Sequence, residues 1–194
     1  TARNIAVADA NDLSVVSLNN GGAGAIALTA RNSLTLPASG LTSTDNLTLR
    51  ADSGTLTLGG NLVGNAVSLF SANALTLATS IDSSTLVVST NNGAINQTAG
   101  ALRIGSTSSF NAGTGALTLG TLNTGNLTAT SNGGLNLGSG RVAGTLAASS
   151  GNGAIGQAGG LIVDAATTLN AGSGAIALTD GSNDFRSSVS LTGT

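Results

Sequence analysis

The stretch that decides the fold is Thr85–Gln97, TLVVSTNNGAINQ, which returns 60 residues later at Thr145–Gln157 as TLAASSGNGAIGQ. Eight of these thirteen positions are identical. The likeness continues, because Ala112–Leu119 (AGTGALTL) matches Ala171–Leu178 (AGSGAIAL) at an offset of 59 residues. An internal period of this size is typical of repeat architectures, in which each unit packs on its neighbours.

A shorter period lies inside the long one. Apolar positions recur at 56, 75, 95, 117, 135, 155 and 176, in steps of 18 to 22 residues. A super-repeat of about 60 residues is therefore most simply three coils of about 20. We place the units at about 1–53, 54–114, 115–173 and, in part, 174–194.

Within each coil, small or polar residues alternate with apolar ones, as in Ala25–Leu28, Thr55–Leu58 and Ala74–Leu77. A period of two predicts strands that bury one side, and Gly and Asn break the runs before a helix could form. Asn-Gly pairs also suit antiparallel hairpins, but the coil spacing favours parallel stacking. The prediction is an all-β parallel β-helix of about 9–10 coils, a rod roughly 45 Å long.

The composition excludes most familiar chemistry. Gly, Ala, Leu, Ser, Thr and Asn make up about four-fifths of the chain, and Cys, Met, Trp, Tyr, His, Lys and Glu are absent. No thiol or amine nucleophile, imidazole base or ordinary zinc site is available. Six scattered arginines and a net charge of −2 argue against nucleic acid as a partner. The first residues, Thr1–Ile5, show no signal-peptide pattern.

The repeat also predicts which side chains point inward. Phe110 aligns with Leu169 at an offset of 59 and should lie in the interior, and three asparagines at equivalent turns are candidates for a ladder of stacked amides. The predicted core stack is Leu56, Leu75, Ile95, Phe110, Leu117, Leu135, Ile155, Leu169 and Ile176, and the predicted turn ladder is Asn32, Asn92 and Asn152.

A family resemblance rests on the repeated motif Gly-Ala-Ile-x-Gln and on the strand and Asn-Ala-Gly-x-Gly-Ala-[LI]-x-Leu after it, at 92–119 and 152–178. With Asn183-Asp184-Phe185 before Ser188–Leu191, this pattern resembles the repeat region of filamentous-haemagglutinin-like exoproteins over essentially the whole chain. These are large adhesins that Gram-negative bacteria export by two-partner secretion. The resemblance implies a right-handed β-helix, an outer-membrane transporter as export partner, and a secreted or cell-surface location. No secretion domain or toxin domain of that family is recognisable in these residues.

The eight aspartates are the first candidates for chemistry, because several β-helix proteins act on polysaccharides. They form no series that repeats once per coil, so we interpret them as solvated turn residues. The loop Asp180–Asp184 (DGSND) could hold calcium, but the calcium-roll repeat is absent and an Asx turn is the simpler interpretation. The six arginines show no shared spacing and are interpreted as solubilising charges. The aspartates are Asp9, Asp12, Asp45, Asp52, Asp82, Asp164, Asp180 and Asp184, and the arginines are Arg3, Arg31, Arg50, Arg103, Arg141 and Arg186.

The sequence therefore predicts a structural and adhesive stalk segment of a secreted bacterial surface fibre, without catalysis or a cofactor. Other parts of the chain would contact host cells, matrix or polysaccharide, and the exposed end strands predict end-to-end or lateral self-association. The first alternative is a carbohydrate-active β-helix enzyme, which needs a cleft with clustered acids and an arginine. The second is an ice-binding solenoid, which needs Thr on every coil of one face. The following residues interrupt such a series: Val87, Asn96, Asn136, Ala147 and Gly156.

Overall fold

The computed structural model describes residues 3–194, which form strands and turns. Residues 1 and 2, at the start of the first predicted unit, lie outside the described residues. Among residues 3–194 there is no helix, and so none that could cross a membrane. The strands are β1 (Ile5–Asp9), β2 (Leu13–Ser14), β3 (Ile26–Ala30), β4 (Leu34–Thr35), β5 (Leu41–Thr42), β6 (Leu47–Ala51), β7 (Leu56–Thr57), β8 (Leu62–Ser71), β9 (Leu75–Leu77), β10 (Ile81–Thr90), β11 (Ile95–Gln97), β12 (Leu102–Asn111), β13 (Leu117–Thr118), β14 (Thr121–Thr130), β15 (Leu135–Asn136), β16 (Ser139–Val142), β17 (Leu146–Ser149), β18 (Ile155–Gly156), β19 (Leu161–Val163), β20 (Thr167–Asn170), β21 (Asp184–Phe185) and β22 (Val189–Thr192).

The named strand pairs are all parallel, and each strand bonds to its counterpart one coil away. Ile26 pairs with Leu47, 21 residues further on, while Val67 pairs with Leu86 after 19 and Thr167 with Val189 after 22. The chain is thus a parallel β-solenoid of about nine turns with about 21 residues per coil. The predicted all-β parallel β-helix is confirmed, and the right-handed winding stays a prediction.

Three faces surround the core. The front face contains β1, β3, β6, the second halves of β8, β10, β12 and β14, and then β17, β20 and β22. The side face contains β5, the first halves of those four long strands, and then β16, β19 and β21. The back face contains β2, β4 and β7, followed by β9, β11, β13, β15 and β18. Each long strand therefore turns a corner between two faces.

The back face has one seam, between β7 and β9, where its ladder divides into two sheets. There the backbone N–H of Leu56 donates to the hydroxyl oxygen of Ser71 at 3.1 Å. Front-face pairing continues past this level, because Leu47 pairs with Val67. The seam therefore opens one face and leaves the rod continuous.

The core consists of columns of like residues along the axis. On the front face Ile26, Leu47, Val67 and Leu86 occupy one inward column, each at most 1% exposed. Burying a side chain of this size contributes roughly 1.5–3 kcal/mol. The outward positions between them carry small or polar residues such as Thr48, which gives the alternation visible in the sequence.

Glycines occupy the corner between the front and back faces because successive coils approach closely there. A Cβ at Gly93 would lie 2.5 Å from backbone atoms of Asn73 and Ala74, and one at Gly115 would lie 2.4 Å from Gly93. Real Cβ atoms do not come this near to backbone. The Gly-Ala-[LI] element of the repeat is thus explained by close packing of one coil on the next.

The terminal coils expose positions that are buried in the inner coils. Val189 and Leu191 point inward in β22 but are 44% and 57% exposed, and Val7 in β1 is 41% exposed. Their columns continue on one side only within residues 3–194. Apolar surface therefore faces outward at both ends of the rod.

Candidate functional site

The predicted core residues lie in two inward columns. Phe110 and Leu169 are on the front face, where Phe110 sits between Val88 and Ala129 and is 1% exposed. The other predicted core residues follow one column of the back face. Those that are at most 5% exposed are Leu56, Leu75, Ile95, Leu117, Leu135 and Ile155. Ile176, in the ninth coil, is half-buried against the core and bridges to Ile155. Their role is packing.

The predicted turn asparagines lie three coils apart along the axis, roughly 14 Å. They bond to the following coil instead of stacking on one another. Asn92 Oδ1 accepts from the backbone N–H of Thr114 at 3.0 Å, and Asn152 Oδ1 accepts from that of Ser173 at 3.1 Å. Asn32 Oδ1 accepts from the hydroxyl of Ser53 at 3.2 Å. The repeated feature is a side-chain acceptor that receives the next turn.

The glutamine of the Gly-Ala-Ile-x-Gln motif has a similar role at another corner. Gln97 is 7% exposed, and its Nε2 donates to the carbonyl oxygen of Thr121 at 2.8 Å while its Oε1 accepts from the N–H of Gly120 at 2.9 Å. Gln157 exchanges hydrogen bonds with the side-chain amide of Asn183 at 2.9 Å. A buried amide here satisfies two coils, which is why this position is repeated. Sequence reasoning used the motif only as a family mark and missed this role.

Cross-coil acceptors of this kind recur along the rod. In each case a side-chain oxygen of one coil accepts a backbone N–H of the coil that follows, at 2.8–3.1 Å. The pairs are Asn4 with Ala25, Asp12 with Ser33, Asn61 with Ser80, Gln97 with Gly120, Asn92 with Thr114, Asn126 with Thr145, and Asn152 with Ser173.

Four charged residues near the last coils form an ion-pair cluster, defined as Arg141, Asp164, Asp184 and Arg186. Asp164 accepts from Arg141 (Nε at 3.1 Å) and from Arg186 (2.9 Å), which also pairs with Asp184 at 2.7 Å. The hydrogen bond from Arg141, helped by the charge of Arg186, lowers the pKa of Asp164 below its usual value. The hydrogen bond to Asp184 raises the pKa of Arg186 above its ordinary value.

A second polar group lies on the side face at a depression of about 370 Å³. Asp82, Arg103 and Asn123 stand at directly paired, outward positions of three successive coils. Ile104, Thr124, Gly105 and Gly125 also line it. We call this site the polar depression. Among residues 3–194, no hydrogen bond or ion pair is formed by the side chains of its three polar residues, although Asp82 and Arg103 carry opposite charges on neighbouring rungs.

The backbone is irregular at the polar depression. The register shifts after Ser83 on one side of β12 and after Ile104 on the other, because Gly105 and Ser106 stand where β10 and β14 have one residue. Beneath it the interior is unusually polar. Ser108 replaces a leucine between Leu86 and Leu127 and bonds to Thr124 at 2.9 Å between hydroxyl oxygens.

One interpretation of the arginines is wrong. Arg103 and Arg141 do share a spacing, since they occupy the same outward column two coils, or 38 residues, apart. Arg141, Arg186 and Arg50 also make ion pairs, and Arg50 stacks over Phe70 with its guanidinium carbon 4.1 Å from the ring centroid. An alignment coil by coil, with variable coil length, would have revealed the shared column.

The remaining aspartates do not converge on one place. Among residues 3–194 no group of three or more acidic side chains could hold a metal ion. In the loop proposed for calcium, Asp180 Oδ1 accepts from the N–H of Ser182 at 2.8 Å, as in an Asx turn, while Asn183 bonds to Gln157 and Asp184 to Arg186. Asp82 is the carboxylate lining the polar depression, whereas glycoside hydrolysis ordinarily uses two.

Threonine does not occupy every coil of any face. On the back face the outward column runs Ser14, Thr35, Thr57, Thr76, Asn96, Thr118, Asn136 and Gly156. On the front face Val87 and Ala147 interrupt the column that contains Thr48 and Thr128. The regular array that ice binding requires is therefore broken on both faces.

These features define a repeat β-solenoid that is held together between coils by backbone ladders, buried amides and close glycine contacts. The chain belongs to the family described as repeats of unknown function (DUF5649), which matches residues 64–123 and 124–192. No curated protein and no solved structure matches the chain. The predicted boundaries of the 60-residue units stay a prediction.

Proposed function

We propose that this chain is a stalk segment of a secreted bacterial surface fibre, which holds a distal binding region away from the cell. The observation that carries the proposal is the unbroken front-face ladder from β1 to β22. Bending such a rod would stretch backbone hydrogen bonds in every coil at once, so stiffness follows from the fold. Side-chain acceptors at the corners add cross-coil bonds to the same stack.

The location and the export partner rest on the sequence. The likeness of residues 92–119 and 152–178 to repeats of filamentous-haemagglutinin-like exoproteins supports a Gram-negative cell surface and an outer-membrane two-partner transporter. The absence of cysteine suits a chain that crosses an oxidising compartment before folding. The scattered aspartates and the ion-paired arginines favour a mechanical over a catalytic role.

Labelling of intact cells tests the proposal. Antibody raised against residues 3–194 should label the outside of the source bacterium, and deletion of the transporter gene should abolish labelling while the polypeptide still accumulates inside. A matched deletion of an unrelated outer-membrane transporter should change nothing. Exclusively internal protein in wild-type cells would contradict the proposal.

A length experiment tests the mechanical part. Inserting one more copy of residues 64–192, about six coils, should lengthen the fibre by about 29 Å, measured by small-angle X-ray scattering of the purified chain. A compact particle of unchanged maximum dimension would contradict a spacer role. The open ends predict reversible end-to-end association of the isolated chain, which sedimentation at rising concentration would detect.

A further inference from the structure

We propose that the polar depression binds an uncharged oligosaccharide, which lies along the rod axis against Asp82, Arg103 and Asn123. This inference concerns a lateral site on the rod and does not depend on the stalk function. It assigns a ligand class to a site that is distinct from any distal binding region.

The spacing of the three polar residues suits an extended sugar chain. They occupy paired positions on successive parallel strands, so their backbones repeat every 4.8 Å or so. That repeat is about the length of one sugar ring in an extended β-1,4-linked chain. Each ring could therefore meet one polar side chain, and the chain would follow the axis.

The chemistry of the three side chains suits hydroxyl groups. The carboxylate of Asp82 accepts hydrogen bonds, the guanidinium of Arg103 donates them, and the amide of Asn123 does both. Because Asp82 and Arg103 together have no net charge, the site does not favour an anion, and Asp82 would repel the carboxylate of a uronic acid.

The free bonding capacity of these residues is the second observation. Within residues 3–194 the ion-pair cluster satisfies its own charges, whereas the side chains of Asp82, Arg103 and Asn123 make no protein hydrogen bond. Ser83, which lies beside Asp82 and pairs with Ile104 of the floor, is 6% exposed, and its hydroxyl also lacks a partner.

The floor provides room for a ring. A Cβ placed on Gly105 would meet nothing nearer than 3.9 Å, and Ile104 offers an apolar surface beside it. The extra residue in β12, the hydroxyl of Ser108 in the core and the unpaired charges all depart from the repeat at this level. Several departures at one place are expected where a repeat has acquired a site.

Amide chemical shifts of the isotope-labelled chain test the proposal during titration with cellotetraose, xylotetraose and chitotetraose, with tetragalacturonate as the charged probe. We expect at least one neutral tetramer to shift residues 82–84, 103–106 and 123–125, with a Kd of about 1 mM. Gly105→Leu should fill the depression and abolish these shifts. Gly156→Leu is the matched control, because Gly156 also has open space but lies on the back face.

Charge variants provide a second measurement that leaves the floor intact. Arg103→Gln should raise the Kd about tenfold, because it removes charged hydrogen bonds, while Arg31→Gln, with the same loss of charge at another exposed position, should stay within twofold. The proposal is overturned if no neutral tetramer binds, if tetragalacturonate alone binds, or if Gly105→Leu binds as well as the wild-type chain.

Discussion

The side face contains two charged groups that share one ladder and differ in outcome. In the ion-pair cluster, Asp164 and Arg186 stand one position beyond the outward column, so their side chains reach across to neighbouring coils and pair. In the polar depression, Asp82 and Arg103 are directly paired in the ladder and still make no ion pair. Adjacency in a parallel stack therefore does not determine pairing, and local backbone geometry does.

The largest expected effect concerns the core behind the polar depression. Phe110 fills volume that Ser108 and Ala129 leave open, so Phe110→Ala should cost about 3–5 kcal/mol of unfolding free energy. Denaturant titration measures the loss, and hydrogen exchange should show it concentrated in β12 and β14.

Leu169→Ala is the matched change in the same inward column, nearer the ion-pair cluster. It should cost about 2–5 kcal/mol and leave protection in β12 intact. If Phe110→Ala costs less than about 1 kcal/mol, the packing at the polar depression is looser than described.

The next effect concerns two glycines. A Cβ at Gly125 would lie 1.9 Å from the carbonyl oxygen of Ser106, which is backbone and cannot turn away. Gly125→Ala should therefore cost about 1–3 kcal/mol by thermal or chemical unfolding.

Gly144→Ala provides the contrast, because its Cβ would meet the side-chain oxygen of Asn126, which can rotate at the loss of one hydrogen bond. We expect about 1 kcal/mol there. Equal costs for the two glycine variants would show that the irregular strand β12 yields as easily as a side chain.

A smaller effect separates bonded from unbonded buried hydroxyls. Ser131 donates to the carbonyl oxygens of Gly115 (2.6 Å) and Gly134 (2.9 Å), so Ser131→Ala should cost about 1–2 kcal/mol. Ser83→Ala removes a hydroxyl without a partner and should change stability by less than about 0.5 kcal/mol. A marked loss in Ser83→Ala, measured by the same denaturant titration, would mean that its hydroxyl is bonded in solution.

The smallest effect depends on pH. The pKa of Asp164 is lower in the folded chain than its unfolded value of about 3.9, chiefly through Arg141. Its stabilising contribution is complete above that unfolded value and is lost as the pH falls through the folded value. The Tm followed from about pH 5 to about pH 2 should drop less steeply in Asp164→Asn than in the wild-type chain. Asp82→Asn, which removes an unpaired carboxylate, should keep the wild-type slope.

Much of the fold could be predicted because a solenoid repeats its local rules. Alternation identified the inward leucines, and the offset of 59 placed Phe110 opposite the equivalent of Leu169. The polar depression could not be predicted, because it depends on one extra residue in β12 that shifts the register locally. Coils of 19 to 22 residues also hide cross-coil pairs, such as Arg141 with Asp164, from any search at a fixed spacing.

The cross-coil acceptors of the corners give the rod a polarity. Asn92, Asn126 and Asn152 each accept a backbone N–H from the coil after them, so a completed coil carries the bonding partners for its successor. The carboxyl-terminal edge thus acts as a template and the amino-terminal edge does not, which makes growth of the stack a one-way process. A chain that emerges amino terminus first would meet a prepared surface at every step.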